Sequence, residues 1–185
     1  MREKLLDAAQ SLVQDRGLNA VSFQALADAV GLKKPSVFHH FRSKEDLALS
    51  LLERCRTTYG ARYSEILQRT DLDEPTKLRE IAAVFEEGLR SDHLCLLGAL
   101  SGSCSEFSDA VTKDMHETAE LVVQRYTQVF EKGREKGTLS FAGSPTAAAA
   151  AFLALLQGMQ VLARAKGDVD SFGPAAESYI ASIAA

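Results

Sequence analysis

SFQALADAVGLKKPSVFHHFRSKEDL, residues 22–47, contains two short helical patterns joined by a glycine turn and followed by a capped third helix. Ser22 is a good N-cap, because its hydroxyl can accept from the first unpaired backbone N–H groups. Phe23, Leu26, Ala27 and Val30 follow at helical spacing and form one apolar face. Gly31 stands where the helix must stop and the chain reverse, a position where a left-handed backbone is cheap only without a Cβ. A second run opens at Lys33-Lys34-Pro35, with proline in a first helical turn where its missing N–H is no loss. Val37, Phe38 and Phe41 are expected to pack inward from it. Ser43-Lys44-Glu45-Asp46 opens the next helix as a capping box, with Asp a shorter partner than the usual Glu.

This leaves Lys33, Lys34, Pro35, Ser36, His39 and His40 on the outside of a two-turn helix. A major groove about 12 Å wide admits one such helix, while the helix before it lies across the backbone. Helix-turn-helix geometry therefore puts the function on DNA, although the same caps and turn also describe an ordinary helical hairpin with solvated lysines. Lys34, Ser36 and His39 are the candidates for base edges. Ser22, His40 and Lys44 are the candidates for phosphate, Lys44 standing at a helix N-terminus.

The order and spacing of further residues resemble the TetR family of bacterial transcriptional regulators. These are Leu5-Leu6-Asp7-Ala8-Ala9, Gly17, Ser22, Leu26-Ala27, Val30-Gly31, Lys34, Phe38-His39-His40-Phe41 and Ser43-Lys44-Glu45-Asp46-Leu47. The likeness covers about the first quarter of the chain. Phe38 stands where the family usually has a Tyr that reaches a DNA phosphate, so that contact does not carry over. Pro35 replaces a small residue, and Lys33 a Ser or Thr. The resemblance implies an all-α fold of about nine helices, with a three-helix DNA-binding domain at 1–47 and an effector-binding and dimerisation domain at 48–185. It also implies an effector that tilts the long connecting helix and changes the separation of the two heads.

Charge agrees with one docking face rather than a basic coat. The 185 residues carry a formal net charge of −4, from 21 Lys/Arg against 25 Asp/Glu. Residues 1–56 hold 9 Lys/Arg against 7 Asp/Glu, so the remainder holds 12 against 18. The chain starts Met1-Arg2-Glu3-Lys4 and runs directly into an amphipathic helix without a signal-peptide core, and no apolar stretch of spanning length escapes polar interruption. A cytoplasmic protein without membrane association is the expectation.

Beyond Leu47 the pattern stays helical. One long helix is expected over 43–68, then helices through Leu78 to Leu89, over 94–102, over 107–136, from Pro145 to about 166, and a last one with Tyr179, Ile180 and Ile183. The helix after Pro145 is apolar on two sides. Phe152, Leu155, Leu156, Met159 and Leu162 form a large side, expected to face its own core. Ala147, Ala151, Ala154, Gly158, Val161 and Ala165 form a second, small side. Either both sides are buried in one subunit or the small side meets another copy. The resemblance favours the second, because TetR-like proteins pair through a four-helix bundle of their last two helices, which adds Tyr179 and Ile183 to the seam. A homodimer would address two half-sites of a near-palindromic duplex.

Tyr63, Phe85, Cys95, Ala99 and Tyr126 mix aromatic area with a few polar atoms, the composition of a small-molecule pocket. They are the candidate effector site, its ligand unnamed. His93-Leu94-Cys95-Leu96-Leu97-Gly98 resembles a segment of a TetR subgroup that includes electrophile sensors, which makes Cys95 either a thiol switch or a packed hydrophobe. Cys55, Cys95 and Cys104 form no CxxC pair, and His39, His40, His93 and His116 have no metal-ligand spacing. Gly98-Ala99-Leu100-Ser101-Gly102 is neither a nucleophile elbow nor a phosphate loop. No catalytic site, metal or cofactor is expected.

Overall fold

In the computed structural model, which describes residues 1–185, the chain forms nine helices. The first three are α1 (Arg2–Arg16), α2 (Phe23–Ala29) and α3 (Lys34–His40). Helix α4 runs continuously over 44–68, as Lys44–Arg54, a π-helical turn Cys55–Tyr59, and Gly60–Gln68. Then come α5 (Glu74–Arg90), α6 (Leu96–Ser101), α7 (Asp109–Lys136), α8 (Pro145–Lys166) and α9 (Phe172–Ile183). The only extended pairing is an isolated antiparallel bridge between Leu139 and Ala184.

Two compact units share these helices, one made of 1–57 and 92–119, the other of 58–91 and 120–185. In the first, Leu5, Leu6, Ala9 and Val13 of α1 recur at helical spacing and are buried with Leu26, Val37, Phe41, Leu47, Leu51 and Leu52. Helix α6, assigned by the sequence to the body, packs on α1 within this unit. The attachment is polar as well as apolar. Gln14 Nε2 donates to Leu94 O at 2.8 Å, Leu94 N donates to Gln14 O at 3.1 Å, and Leu96, Leu97 and Leu100 are buried. Six residues carry too little periodicity to say which partner they choose.

In the second unit Leu78, Ile81 and Phe85 of α5 are buried, and four aromatic rings form a chain. Tyr63 contacts Tyr126 edge-on at 5.5 Å, Tyr126 contacts Phe152 at 6.2 Å, and Phe152 contacts Phe130 at 6.0 Å. Asp73 and Ser144 cap α5 and α8 by accepting from Thr76 N and Ala147 N.

The two-sided reading of α8 needs one correction. Its inward stripe is Ala149, Phe152, Leu156, Met159 and Ala163, whereas Leu162 is 60% exposed. Leu162 lies one turn after Gly158, so it shares the small-residue side. Helix α8 also has the length and mean hydropathy (1.6) of a membrane span. Its buried Gln160 donates to Phe85 O at 2.8 Å, which anchors the helix in this unit.

Candidate nucleic-acid interface

The turn between α2 and α3 closes as a Schellman motif. Gly31 adopts φ 71°, its N–H donates to Asp28 O at 3.3 Å, and Leu32 N donates to Ala27 O at 2.9 Å. Both bonds use carbonyls in the last turn of α2 that lack their i+4 helical partner, which fixes the angle at which α3 departs. Ser22 Oγ accepts from Ala25 N at 3.0 Å, and its O–H remains a donor. At α4, Ser43 Oγ accepts from Asp46 N at 3.1 Å. Asp46 Oδ2 in turn accepts from Arg42 N at 3.0 Å, one residue before the position a capping box would use.

Helix α3 hangs on two fully buried residues, Val37 and Phe41. Lys33, Lys34, Pro35 and His39 are exposed, and Ser36 and His40 are half-buried. Phe38, expected inside, is 47% exposed. Val37 and Phe41 stand four apart and take the inward stripe, which turns Phe38 about 100° away from it. Its ring meets Phe23 edge-on at 4.9 Å, and the Lys34 ammonium lies 5.8 Å from its centroid. The α3 face therefore presents cations, a hydroxyl, imidazoles and an aromatic ring. Phe38 is the functional candidate missed in the sequence, although the spacing of Val37 and Phe41 carried the signal.

Lys44 is already engaged, donating to Asn19 O at 3.0 Å and Leu18 O at 3.5 Å. Its ammonium holds the turn between α1 and α2 as well as facing solvent. The rings of His39 and His40 approach edge-on at 5.3 Å despite their different helical phase.

The candidate effector residues fall in both units. Tyr63, Phe85 and Tyr126 are buried in the second unit, while Cys95 and Ala99, both half-buried, belong to the first. None of the three cysteines is in a disulfide. Cys104 Sγ lies 3.0 Å from Met115 Sδ, and His93 Nε2 lies 2.9 Å from Ser11 Oγ.

The expected seam is largely uncovered in the single chain. Ala147, Ala151, Ala154, Gly158, Val161 and Ala165 are all exposed. A Cβ built on Gly158 meets nothing within 4 Å. Tyr179 is half-buried and stacks on Phe152 at 5.8 Å, and Ile183 is buried within its own chain.

Residues 5–51 match the family described as bacterial regulatory proteins, tetR family. The HTH-type transcriptional repressor NemR of Escherichia coli K12 is 29% identical over 171 residues, covering 88% of this chain and 83% of that protein. The HTH-type transcriptional repressor KstR2 of Rhodococcus jostii is 33% identical over 92 residues, covering 50% of this chain and 45% of that protein. Among solved structures, a TetR-family transcriptional regulator from Agrobacterium tumefaciens superposes with a TM-score of 0.92 at 26% identity, covering 100% of this chain and 97% of that one. The reduced form of Escherichia coli NemR superposes with a TM-score of 0.81 at 28% identity, with the same coverage.

Proposed function

This chain is a DNA-binding transcriptional regulator of the TetR family, and from that premise we propose that it is a homodimeric repressor released from its operator by a small effector. The carrying observation is the exposed face of α3, with Lys33, Lys34, Ser36 and His39 presented by a helix whose departure angle the Gly31 turn fixes. Lys34, Ser36 and His39 address base edges, and Phe38 supplies an apolar surface suited to a thymine methyl. Ser22, through its free O–H, with His40 and Lys44 takes phosphate oxygens. Two such heads paired through α8 and α9 read half-sites about one or more helical turns apart, so the operator is near-palindromic.

The effector is a small molecule bound in the second unit around Tyr63, Phe85 and Tyr126. It acts only insofar as it binds the DNA-competent and released states unequally. Selection of genomic fragments by the purified protein, followed by footprinting, tests the reading. A protected near-palindrome with one dimer per site supports it, and failure to enrich any sequence would end it.

The place of Cys95 favours a second route, release by covalent modification of a thiol. Cys95 is half-buried and in no disulfide, and a similar structure is described by its redox form, the reduced NemR. N-ethylmaleimide should then release operator from the wild type and not from Cys95→Ser. Equal release from both would leave the non-covalent route alone.

A further inference from the structure

The second unit contains a groove of about 620 Å³ between the last turns of α4, the 69–72 loop, the first turn of α5 and the C-terminal half of α7. Arg69, Lys77, Arg125, Lys132 and Lys136 line it together with a single acidic residue, Glu135. Arg69 is answered by Asp71 at 2.5 Å and Lys136 by Glu74 at 2.7 Å. With both carboxylates counted, the local balance is still +2, in a part of the chain where acidic residues outnumber basic ones by 18 to 12. None of Tyr63, Phe85 and Tyr126 lines the groove.

Arg69, Lys77 and Lys136 are held by acceptors of the protein itself. Lys77 is buried, and its ammonium donates to Leu67 O at 3.2 Å. Burial, reinforced by repulsion from Lys132 and Lys136, pushes its pKa down although Glu74 and Asp71 pull the other way. The groove therefore holds a net positive charge that an anion would relieve. Gly60 contributes by what it lacks. A Cβ there would stand 2.6 Å from the Arg125 guanidinium, so the missing side chain lets that fork lie flat against α4. On α7, Arg125, Lys132 and Lys136 fall seven and four residues apart and share one face.

We infer that this groove is a binding site for a small organic polyanion, a phosphate ester or a polycarboxylate. The volume lies within the ~300–1,000 Å³ typical of small-ligand sites. A guanidinium fork beside several ammonium groups matches anionic oxygens presented in pairs. The groove stands at the ends of α4 and α7, two helices that continue into the unit bearing the reading face. Its occupant is thus placed to bias both helices.

Calorimetric titration of the full chain with pyrophosphate, and separately with citrate, at ionic strength held constant with KCl, tests the site. Saturable binding of one anion per chain is expected, weakened at least tenfold by Lys132→Glu and unchanged by Lys113→Glu, the same charge reversal on α7 outside the groove. The stronger of the two anions assigns the phosphate or the carboxylate class. Lys132 is exposed, so this variant keeps the fold, and circular dichroism confirms it. Absence of saturable binding, or equal weakening by both reversals, would overturn the inference. So would a Lys132→Glu variant that lowers the salt dependence of operator binding, because the groove would then be a nucleic-acid contact.

Discussion

Leu162→Asp should dissolve the proposed dimer while leaving each subunit folded. Leu162 is 60% exposed and Val161 is 56% exposed, side by side on the uncovered face of α8. Fully burying a leucine side chain contributes about 1.5–3 kcal/mol, so covering the exposed fraction of Leu162 contributes about 1–2 kcal/mol per subunit. Two-fold symmetry doubles this to about 2–4 kcal/mol, or roughly 30–1,000-fold in dissociation constant. The carboxylates introduced into the seam add a desolvation cost of the same sign. Sedimentation velocity across a concentration series reads the shift, and unchanged helicity by circular dichroism separates it from unfolding. A Leu162→Asp protein that stays dimeric at the wild-type concentration would refute the assignment of the seam to this face. Operator affinity would fall with dimer population, because a single head reads only one half-site.

Lys44→Ala should weaken binding to all duplexes about equally and reduce the salt slope by about one. Its lost bonds to Asn19 O and Leu18 O should also lower the midpoint of thermal unfolding, which calorimetry without DNA detects. The Glu74 carboxylate is 1% exposed. Burial opposes its charge, but hydrogen bonds from Lys136 and Thr138 outweigh this and hold its pKa below the ordinary glutamate value. The stability this contributes is complete above the unfolded pKa and is lost as pH falls through the lowered folded pKa, so Glu74→Gln should flatten the acid limb of a denaturation series. Gly133→Ala should destabilise the fold by about 1–3 kcal/mol in chemical denaturation, through overpacking. A Cβ there would overlap the Leu139 side chain.

The range of each interaction decided whether the sequence disclosed it. The head was legible because each signal is local: Ser22 and its donor Ala25 are three residues apart, and the Gly31 turn closes the Leu32 N to Ala27 O bond over five. Errors arose where helical phase had to be carried. Phe38 beside Val37, and Leu162 beside Ala163, differ from their neighbours only by a 100° step, and composition alone does not say which of two apolar neighbours turns out. Helix α6 had no readable partner, because its attachment depends on Gln14, eighty residues upstream of Leu94. The candidate effector set mixed residues of two units for the same reason. The groove assembles Arg69 and Lys77 with Arg125, Lys132 and Lys136, and only the stripe on α7 could have suggested it.

Under the proposed reading, one route from a ligand in the second unit to the reading face is the chain itself, which passes between the units at three places. Those places are within α4 at 57/58, in the loop after α5 at 91/92, and within α7 at 119/120. Two of the three lie inside helices, which pass on rotation and tilt that a loop absorbs. The passage in α4 coincides with its π turn, Cys55–Tyr59. A π turn holds an additional residue, so its conversion to regular α-helix would rotate the remainder of α4 by about 100°. Arg56 sits in that turn and donates to Glu53, Asp114 and Thr118, the last two at 2.8 Å on α7. The two continuous helices are therefore tied together on the side of the reading face. Moving a two-state equilibrium from 1:99 to 99:1 takes about 5.5 kcal/mol of differential affinity. A hydrogen bond to a charged group contributes about 1.5–3 kcal/mol, so breaking the bond to Asp114 falls short by about half. Arg56 thus holds the register of α4 against α7, and the larger part of the switching energy has to come from the groups that the ligand itself contacts.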